Sequence, residues 1–320
     1  MRVCVATTLH HPEDARIMHR QIRALLDAGH EVTYVAPFTH FNVTPVPPIT
    51  AIDVRRGGMP RAALRRGARD ADLLIVHEPE LLLALPIRHP PVVLDTRDEP
   101  RGPMGRRLVA RAERLHHVLE PAAAEATQAA AEPPPPGDTR IVHIGRLTTD
   151  KGVRELIDLA QRLVPHGIRL DLIGAADREV RPILRDAQRV GLLDWFGYVP
   201  NRHALRMAEG ALAGVCLWHR PSVRPPTKVL DYMGRGVPVV TTPVAAAVVE
   251  QAGCGSVVPY RDVDATLEAV LDLKEDPARR ARLGAAGNTI ARLHHHWPDQ
   301  ATAFVARLEQ WAGVTHELAV

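Results

Sequence analysis

The sequence predicts an α/β protein built from two doubly wound, parallel-sheet halves. Short apolar runs of strand length alternate with stretches of helical period along the whole chain. The alternation breaks once, at the alanine-rich run 122–131 and the segment Glu132-Pro-Pro-Pro-Pro-Gly-Asp138, which can neither continue a helix nor join a central strand. A length of 320 residues also suits two domains of about 150 residues each.

In order, residues 3–6 read as a buried strand followed by the polar loop 7–14. Ile17, Met18, Ile22, Leu25 and Leu26 then repeat at helical spacing and stop at Gly29, a natural helix end. Strands follow over 31–36, 50–54, 71–76 and 91–94, with a short apolar helix over 79–87 between the last two. The proline segment 132–138 reads as a stiff linker, and a proline-rich surface loop within one domain is the plainer alternative. The second half repeats the rhythm, with strands over 141–144, 169–173, 195–199, 214–218, 237–240 and 255–259 and a helix over 227–233. The expected division is 1–131, linker 132–138, 139–297, and a last helix 298–320 that can cross back to the first domain. Two Rossmann-like halves of this kind place a cleft over the carboxyl ends of both sheets.

Composition narrows the function classes. An apolar fraction of 46% supports two cores, and an aromatic fraction of 4% makes them aliphatic. The net charge of +3 gives no argument for a nucleic-acid partner. Cys4, Cys216 and Cys254 are odd in number and lie in or beside apolar runs, which predicts reduced, buried thiols in a cytoplasmic protein. The N-terminus runs straight into a strand, so no signal peptide is expected, and no apolar run approaches the length of a membrane span.

The chemistry concentrates in two stretches. In Ile141-Val-His-Ile-Gly-Arg-Leu-Thr-Thr-Asp-Lys-Gly152 a strand ends in Gly145 and a helix-period pattern starts at Val153. Gly145 lets backbone approach a ligand closely, while Arg146 and Lys151 can flank a diphosphate with a planar fork and a point charge. The helix start adds free N–H groups and the positive end of its dipole. An ordinary turn with two solvated cations is the competing interpretation. Of the 40 basic residues only Lys151, Lys228 and Lys274 are lysines, and two of these three fall in the two stretches. The second stretch is Pro225-Pro-Thr-Lys-Val-Leu-Asp-Tyr-Met-Gly-Arg-Gly-Val-Pro-Val-Val240. Proline before Thr227 suits a helix's first turn, where Thr227 can cap or donate to an anion. Lys228 and Asp231, three apart on a helix, share a face and can bind a phosphate and a ribose diol together, or form a local ion pair on a solvated helix.

Together these stretches resemble the group 1 (family 4) glycosyltransferases, which have the GT-B fold. Gly145 to Gly152 resembles G-R-L-x-x-x-K-G, and Pro226 to Val240 resembles P-x-K-x-x-E-y-M-x-x-G-x-P-V-V. Three N-terminal stretches extend the likeness: His10-His-Pro-Glu-Asp-Ala-Arg-Ile17 to H-P-x-x-D-x-R-I, Val76-His-Glu-Pro-Glu-Leu81 to H-x-H-D-P-E-L, and Asp95-Thr-Arg-Asp-Glu-Pro100 to Y-D-x-H-E-D-P. Trp297, ahead of the last helix, matches a tryptophan that often stands there.

The resemblance implies a GT-B enzyme that moves a sugar from a UDP- or GDP-type nucleotide sugar to a hydroxyl, with retention and without cofactor or metal. It implies catalytic roles for Arg146, Lys151, Arg97 and His77. Donor contacts fall to Gly145, Arg146, Lys151, Thr227, Lys228 and Asp231, and the acceptor side to His10, His11, Arg16, Glu78, Asp98 and Glu99. Either His10 or His11 fills the family's histidine place. Asp231 stands where the family has glutamate, Val223 where it has a paired glutamate, and Arg97 where it has histidine. His294-His-His296 reads as a surface turn. Arginines at 55, 56, 61, 65, 66 and 69 and at 101, 106, 107, 111 and 114 crowd the N-terminal half. They suggest an anionic acceptor or a peripheral membrane contact, against solvated helix faces. The expected partners are thus a nucleotide-sugar donor and a hydroxyl acceptor (a glycan, a lipid-linked sugar or a small natural product), not nucleic acid. Nucleotide-sugar 2-epimerisation, pseudo-glycosyl coupling, or binding without turnover are the alternatives.

Overall fold

The protein, seen as a computed structural model, is described over residues 1–95, 102–119, 127–220 and 225–314. It divides into two compact units, one of Met1–Ala124 with Trp297–Val320 and one of Glu125–His296. Each unit holds a six-stranded, wholly parallel sheet.

Unit 1 contains β1 (Arg2–Ala6), β2 (Glu31–Ala36), β3 (Thr50–Asp53), β4 (Leu73–Val76), β5 (Val92–Asp95) and β6 (His117–Leu119), ordered β3-β2-β1-β4-β5-β6. β4 reads Leu-Leu-Ile-Val with every residue buried, the unbroken apolar run of a strand covered on both faces. β6 is too short to stand out in the sequence. The expected helix 79–87 is only a 3₁₀ turn over Pro79–Ala84; Ile87 beyond it is fully exposed. The helix after β1 opens as a π-helix, Ile17–Ile22, and continues as α over Arg23–Asp27. The last helix, Trp297–Ala312, belongs to this unit: Glu309 pairs with His30 at 2.9 Å, and Trp311 stacks on His117 with ring centroids 4.6 Å apart.

Unit 2 contains β7 (Arg140–Ile144), β8 (Arg169–Ile173), β9 (Leu193–Trp195), β10 (Ala213–Cys216), β11 (Val239–Thr241) and β12 (Gly255–Val257), ordered β12-β11-β10-β7-β8-β9. Counted within its own unit, each sheet runs in the same doubly wound order. Adjacent residues feed opposite faces: Ile141 joins the cluster with Leu156, Leu159 and Leu163, while Val142 joins the one with Tyr232 and Met233. β9 runs over Leu193–Trp195 and overlaps the expected strand 195–199 only at Trp195, because Gly197 turns left-handed at φ +68° and leaves Phe196 and Tyr198 exposed. The segment 132–138, expected to link the halves, lies within unit 2. Gly137 N–H donates to the Gly210 carbonyl at 2.9 Å, and Pro133 sits where a Cβ on Gly236 would fall 2.7 Å from its ring.

In both sheets the order reverses beside the first strand, between β1 and β4 and between β7 and β10. Ligands of doubly wound sheets bind at the carboxyl ends of such strands. The residues there are Thr7–His10 with His77 and Glu78, and Gly145–Gly152 with Leu217 and Trp218.

Candidate functional site

At the switch point of unit 2 the β7–β10 ladder runs through Ile141↔Ala213 and Val142↔Gly214 and then stops. Two backbone groups left by the splayed strands are taken up by side chains. Ile144 N–H donates to the Tyr232 hydroxyl at 2.8 Å, and the Val215 carbonyl accepts from His143 Nδ1 at 3.0 Å. That leaves room at the strand ends for the Gly145 turn, where φ is +118° and an added Cβ would lie 3.2 Å from both Cε and Nζ of Lys228. Gly152 closes the turn at φ +80°; a Cβ there would fall 2.2 Å from the Leu217 carbonyl oxygen. The helix Val153–Leu163 begins at once, with no side chain capping its first N–H groups, so its positive end faces the turn.

Three cations surround that turn. Arg146, its side chain 55% exposed, donates through Nε to Asp177 Oδ1 at 2.7 Å, an exposed pair that contributes little and is easily exchanged. Lys151 Nζ sits 4.9 Å over the Trp218 ring. Lys228 is buried in the helix Thr227–Gly234, and its Nζ lies 2.8 Å from His143 Nε2. Burial pushes the Lys228 ammonium down to about 7, with Lys151 pushing the same way and Cys216 and Asp231 opposing. Burial and the neighbouring Lys228 hold His143 well below its ordinary range, so its imidazole is neutral. A carbonyl at Nδ1 requires the proton there, which makes Nε2 the acceptor for Lys228. Asp231, 4% exposed, accepts from Thr127 Oγ1 at 2.8 Å. Thr227 is the first residue of the helix, Pro226 takes the N-cap place, and no side chain caps it. The burial of Lys228 and Asp231 removes the solvated-helix interpretation of this motif.

The corresponding corner of unit 1 is a buried polar cluster. Asp95, fully buried at the end of β5, accepts from Arg16 Nη2 and from Gln21 Nε2 at 2.6 Å, and His77 Nδ1 lies 3.4 Å from its carboxylate. Gln21 N–H donates to the Arg16 carbonyl at 2.9 Å, the i→i+5 bond of a π-helix. That winding stacks two side chains which an α-helix would set about 140° apart. Burial drives His77 down to about 3 despite Asp95 beside it, and its Nε2 is buried without a partner among the described residues. Glu78 accepts from the Thr7 hydroxyl, from Thr8 N–H at 2.9 Å and from Leu9 N–H at 3.3 Å, and burial raises its carboxyl. His10 Nε2 lies 3.6 Å from Glu78, and its ring meets His77 edge-on. His11 turns away and packs on Phe41 at 4.6 Å. The geometry therefore gives His10 the place facing His77 and Glu78.

The family described as "Glycosyl transferases group 1" matches residues 138–276, the stretch that carries the three cations. Residues 138–276 thus match a group 1 glycosyltransferase domain. The whole chain has the GT-B fold. It is similar to the Anabaena protein HepE, solved with UDP and glucose, at TM-score 0.69 and 16% identity over 96% of this chain and 99% of that one. It is similar to sucrose-phosphate synthase from Thermosynechococcus elongatus, at 0.67 and 15% over 98% and 100%. It is also similar to WaaG, a glycosyltransferase involved in lipopolysaccharide biosynthesis, at 0.63 and 15% over 95% and 99%. No curated protein matches the sequence.

Within the matched residues the structure gathers Gly145, Lys151 and Lys228 at one strand end with Arg146 on its rim. Asp231 lies one helical turn beyond Lys228. In unit 1 it gathers His10, Arg16, His77 and Glu78. Arg97, Asp98, Glu99 and Val223 lie outside the described residues. No group of three or more His, Cys, Asp or Glu side chains among the described residues has metal-binding geometry, and His296 instead accepts from Ala129 N–H at 3.3 Å. The arginines at 55, 56, 61, 65, 66, 69, 106, 107, 111 and 114 are exposed. Among the described residues no helix is long and apolar enough to cross a membrane. Sequence reasoning missed His143, Thr127, Gln21 and Trp218. His143 carried one available signal, a histidine inside an otherwise apolar four-residue strand.

Proposed function

We propose that the protein transfers a sugar from a UDP- or GDP-type nucleoside diphosphate sugar to a hydroxyl acceptor, with retention at the anomeric carbon. The observation that carries this reading is the convergence of Arg146, Lys151 and buried Lys228 on the Gly145 turn, inside a group 1 glycosyltransferase domain. As the sugar departs, negative charge grows on the diphosphate. Cations already in place when that charge appears stabilise the transition state more than the ground state. Arg146 can exchange Asp177 for a phosphate, and Lys151, held over Trp218, supplies a second charge. Lys228 adds a third from below the turn. These cations supply the neutralisation a divalent ion would otherwise provide, so transfer is proposed to survive chelator treatment. Asp231 is proposed to accept from the ribose hydroxyls, sharing its carboxylate with Thr127. HepE, solved with UDP-glucose, supports a uridine donor.

On unit 1, His77 is proposed to face the reacting groups and His10, Arg16 and Glu78 to shape the acceptor side, with His11 left on Phe41. Arg97, Asp98 and Glu99 join them on the resemblance alone. A peripheral membrane contact through the arginines of unit 1 is part of the same proposal, as is a cytoplasmic location. The test is a thermal-shift panel of UDP, GDP, ADP, TDP and CDP against wild type and Arg146→Ala. A ligand that binds only the folded state raises Tm by mass action. One diphosphate should raise the wild-type Tm and raise that of the variant by less than half as much. If none raises the wild-type Tm, the donor reading fails.

A further inference from the structure

Beyond the three cations, the switch point of unit 2 holds a group that the proposed chemistry leaves unused. His143 is 0% exposed, lies in β7 two residues before the Gly145 turn, and bonds on both sides of its ring. On one side Nδ1–H donates to the Val215 carbonyl, which the β7–β10 ladder leaves unpaired because the strands part above Gly214. On the other, Nε2 has a lone pair 2.8 Å from Lys228 Nζ. The orientation is thus fixed by the backbone: the carbonyl dictates which nitrogen carries the proton, and the other nitrogen can then only accept. An ammonium taken out of water needs acceptors. The groups facing Lys228 are His143 from β7, Cys216 from β10, Lys151 from the turn and Asp231 from its own helix. Of these, His143 offers an acceptor nitrogen within hydrogen-bond distance of Nζ, at 2.8 Å.

We propose that His143 is a positioning residue for donor binding: its imidazole, locked by the Val215 carbonyl, holds Lys228 Nζ protonated beneath the Gly145 turn and so sets the pH range in which the domain grips a diphosphate. This rests on the reading that the Gly145 turn takes a nucleoside diphosphate. A neutral acceptor at Nε2 stabilises the ammonium over the amine, offsetting part of the burial that pulls the Lys228 titration down to about 7. Without that acceptor the ammonium is lost at still lower pH. Glutamine can replace the imidazole, because its amide offers one donor for Val215 and one acceptor for Lys228 without a titrating ring.

The chain makes the test clean, because it has only three lysines. Protein labelled with ¹³C at lysine Cε is titrated by NMR as wild type, His143→Gln and His143→Leu, with Lys228→Arg identifying the resonance. UDP and GDP affinities are measured calorimetrically at pH 6 and pH 8 in the same three forms. Lys228 should titrate near neutrality in wild type and His143→Gln and about one pH unit lower in His143→Leu, a tenfold loss of ammonium where the amine dominates. The nucleotide that binds wild type should bind His143→Leu about tenfold more weakly at pH 8, with His143→Gln within about threefold of wild type. An ordinary lysine titration for Lys228 in wild type overturns the proposal. So does a titration unchanged in His143→Leu, or a nucleotide pH profile identical in all three forms. If neither nucleotide binds any form, the donor reading falls, and with it the binding role proposed for His143, while the titrations still report whether His143 holds the Lys228 proton.

Discussion

Asp95→Asn tests whether the polar cluster of unit 1 is organised by one buried charge. Wild-type Asp95 accepts from Arg16 and Gln21 and has His77 3.4 Å away, with no exposed surface. Asparagine keeps one acceptor oxygen and turns an NH₂ toward the rest. Gln21 can answer by flipping, since its Oε1 is buried without a partner among the described residues, and His77 can move its proton to Nε2. Neither adjustment restores the negative charge opposite the Arg16 guanidinium, whose side chain is 5% exposed. Breaking a buried pair from one side costs about 3–5 kcal/mol. With two of the three neighbouring side chains able to adapt, the low end applies, about 3 kcal/mol. For a domain of this size that lowers Tm by roughly 6–12 °C. Urea unfolding followed by circular dichroism measures the free energy, and the double variant Arg16→Met/Asp95→Leu should lose less than the two single losses combined. A single-variant cost under about 1 kcal/mol, or full additivity in the double variant, refutes the reasoning.

Two further predictions address the turn and the acid limb. Gly152→Ala forces a side chain into left-handed backbone at φ +80° and against the Leu217 carbonyl. It should destabilise by about 3 kcal/mol or more in denaturant unfolding, and a cost below about 1 kcal/mol would show that the helix does not abut β10 as described. The folded-state titration of His77 is depressed to about 3 from 6.5, so the unfolded chain takes up a proton below pH 6.5 that the folded chain refuses. Stability from this group is therefore unaffected above pH 6.5 and falls by about 1.4 kcal/mol per unit as pH drops toward 3. In His77→Gln, unfolding free energies measured from pH 7 to pH 4 should lose that much of the wild-type slope; equal slopes would place His77 in water.

Much of the architecture is legible in the chain's local chemistry, as doubly wound sheets generally are. Strands covered on both faces must be apolar throughout, as Leu-Leu-Ile-Val in β4 is, and the turn to a close-packed helix must be glycine, as Gly145 and Gly152 are. Lysine in an arginine-rich chain marked Lys151 and Lys228 for the same reason, a preference of residue type for a place. Relations between residues far apart in the chain arise only on folding. That Lys228 is buried, and meets His143 rather than water, depends on two strands parting at Gly214, which no local pattern encodes. That Asp231 meets Thr127 depends on where the chain enters unit 2. The choice between His10 and His11 follows from which of them Glu78 and Phe41 can reach across the sheet. Arg16 and Gln21 share Asp95 because the helix winds as π there, which brings both side chains to the end of β5. Strand and turn preferences act within a few residues; burial, proton placement and shared hydrogen bonds act through space, and exist once the chain has folded.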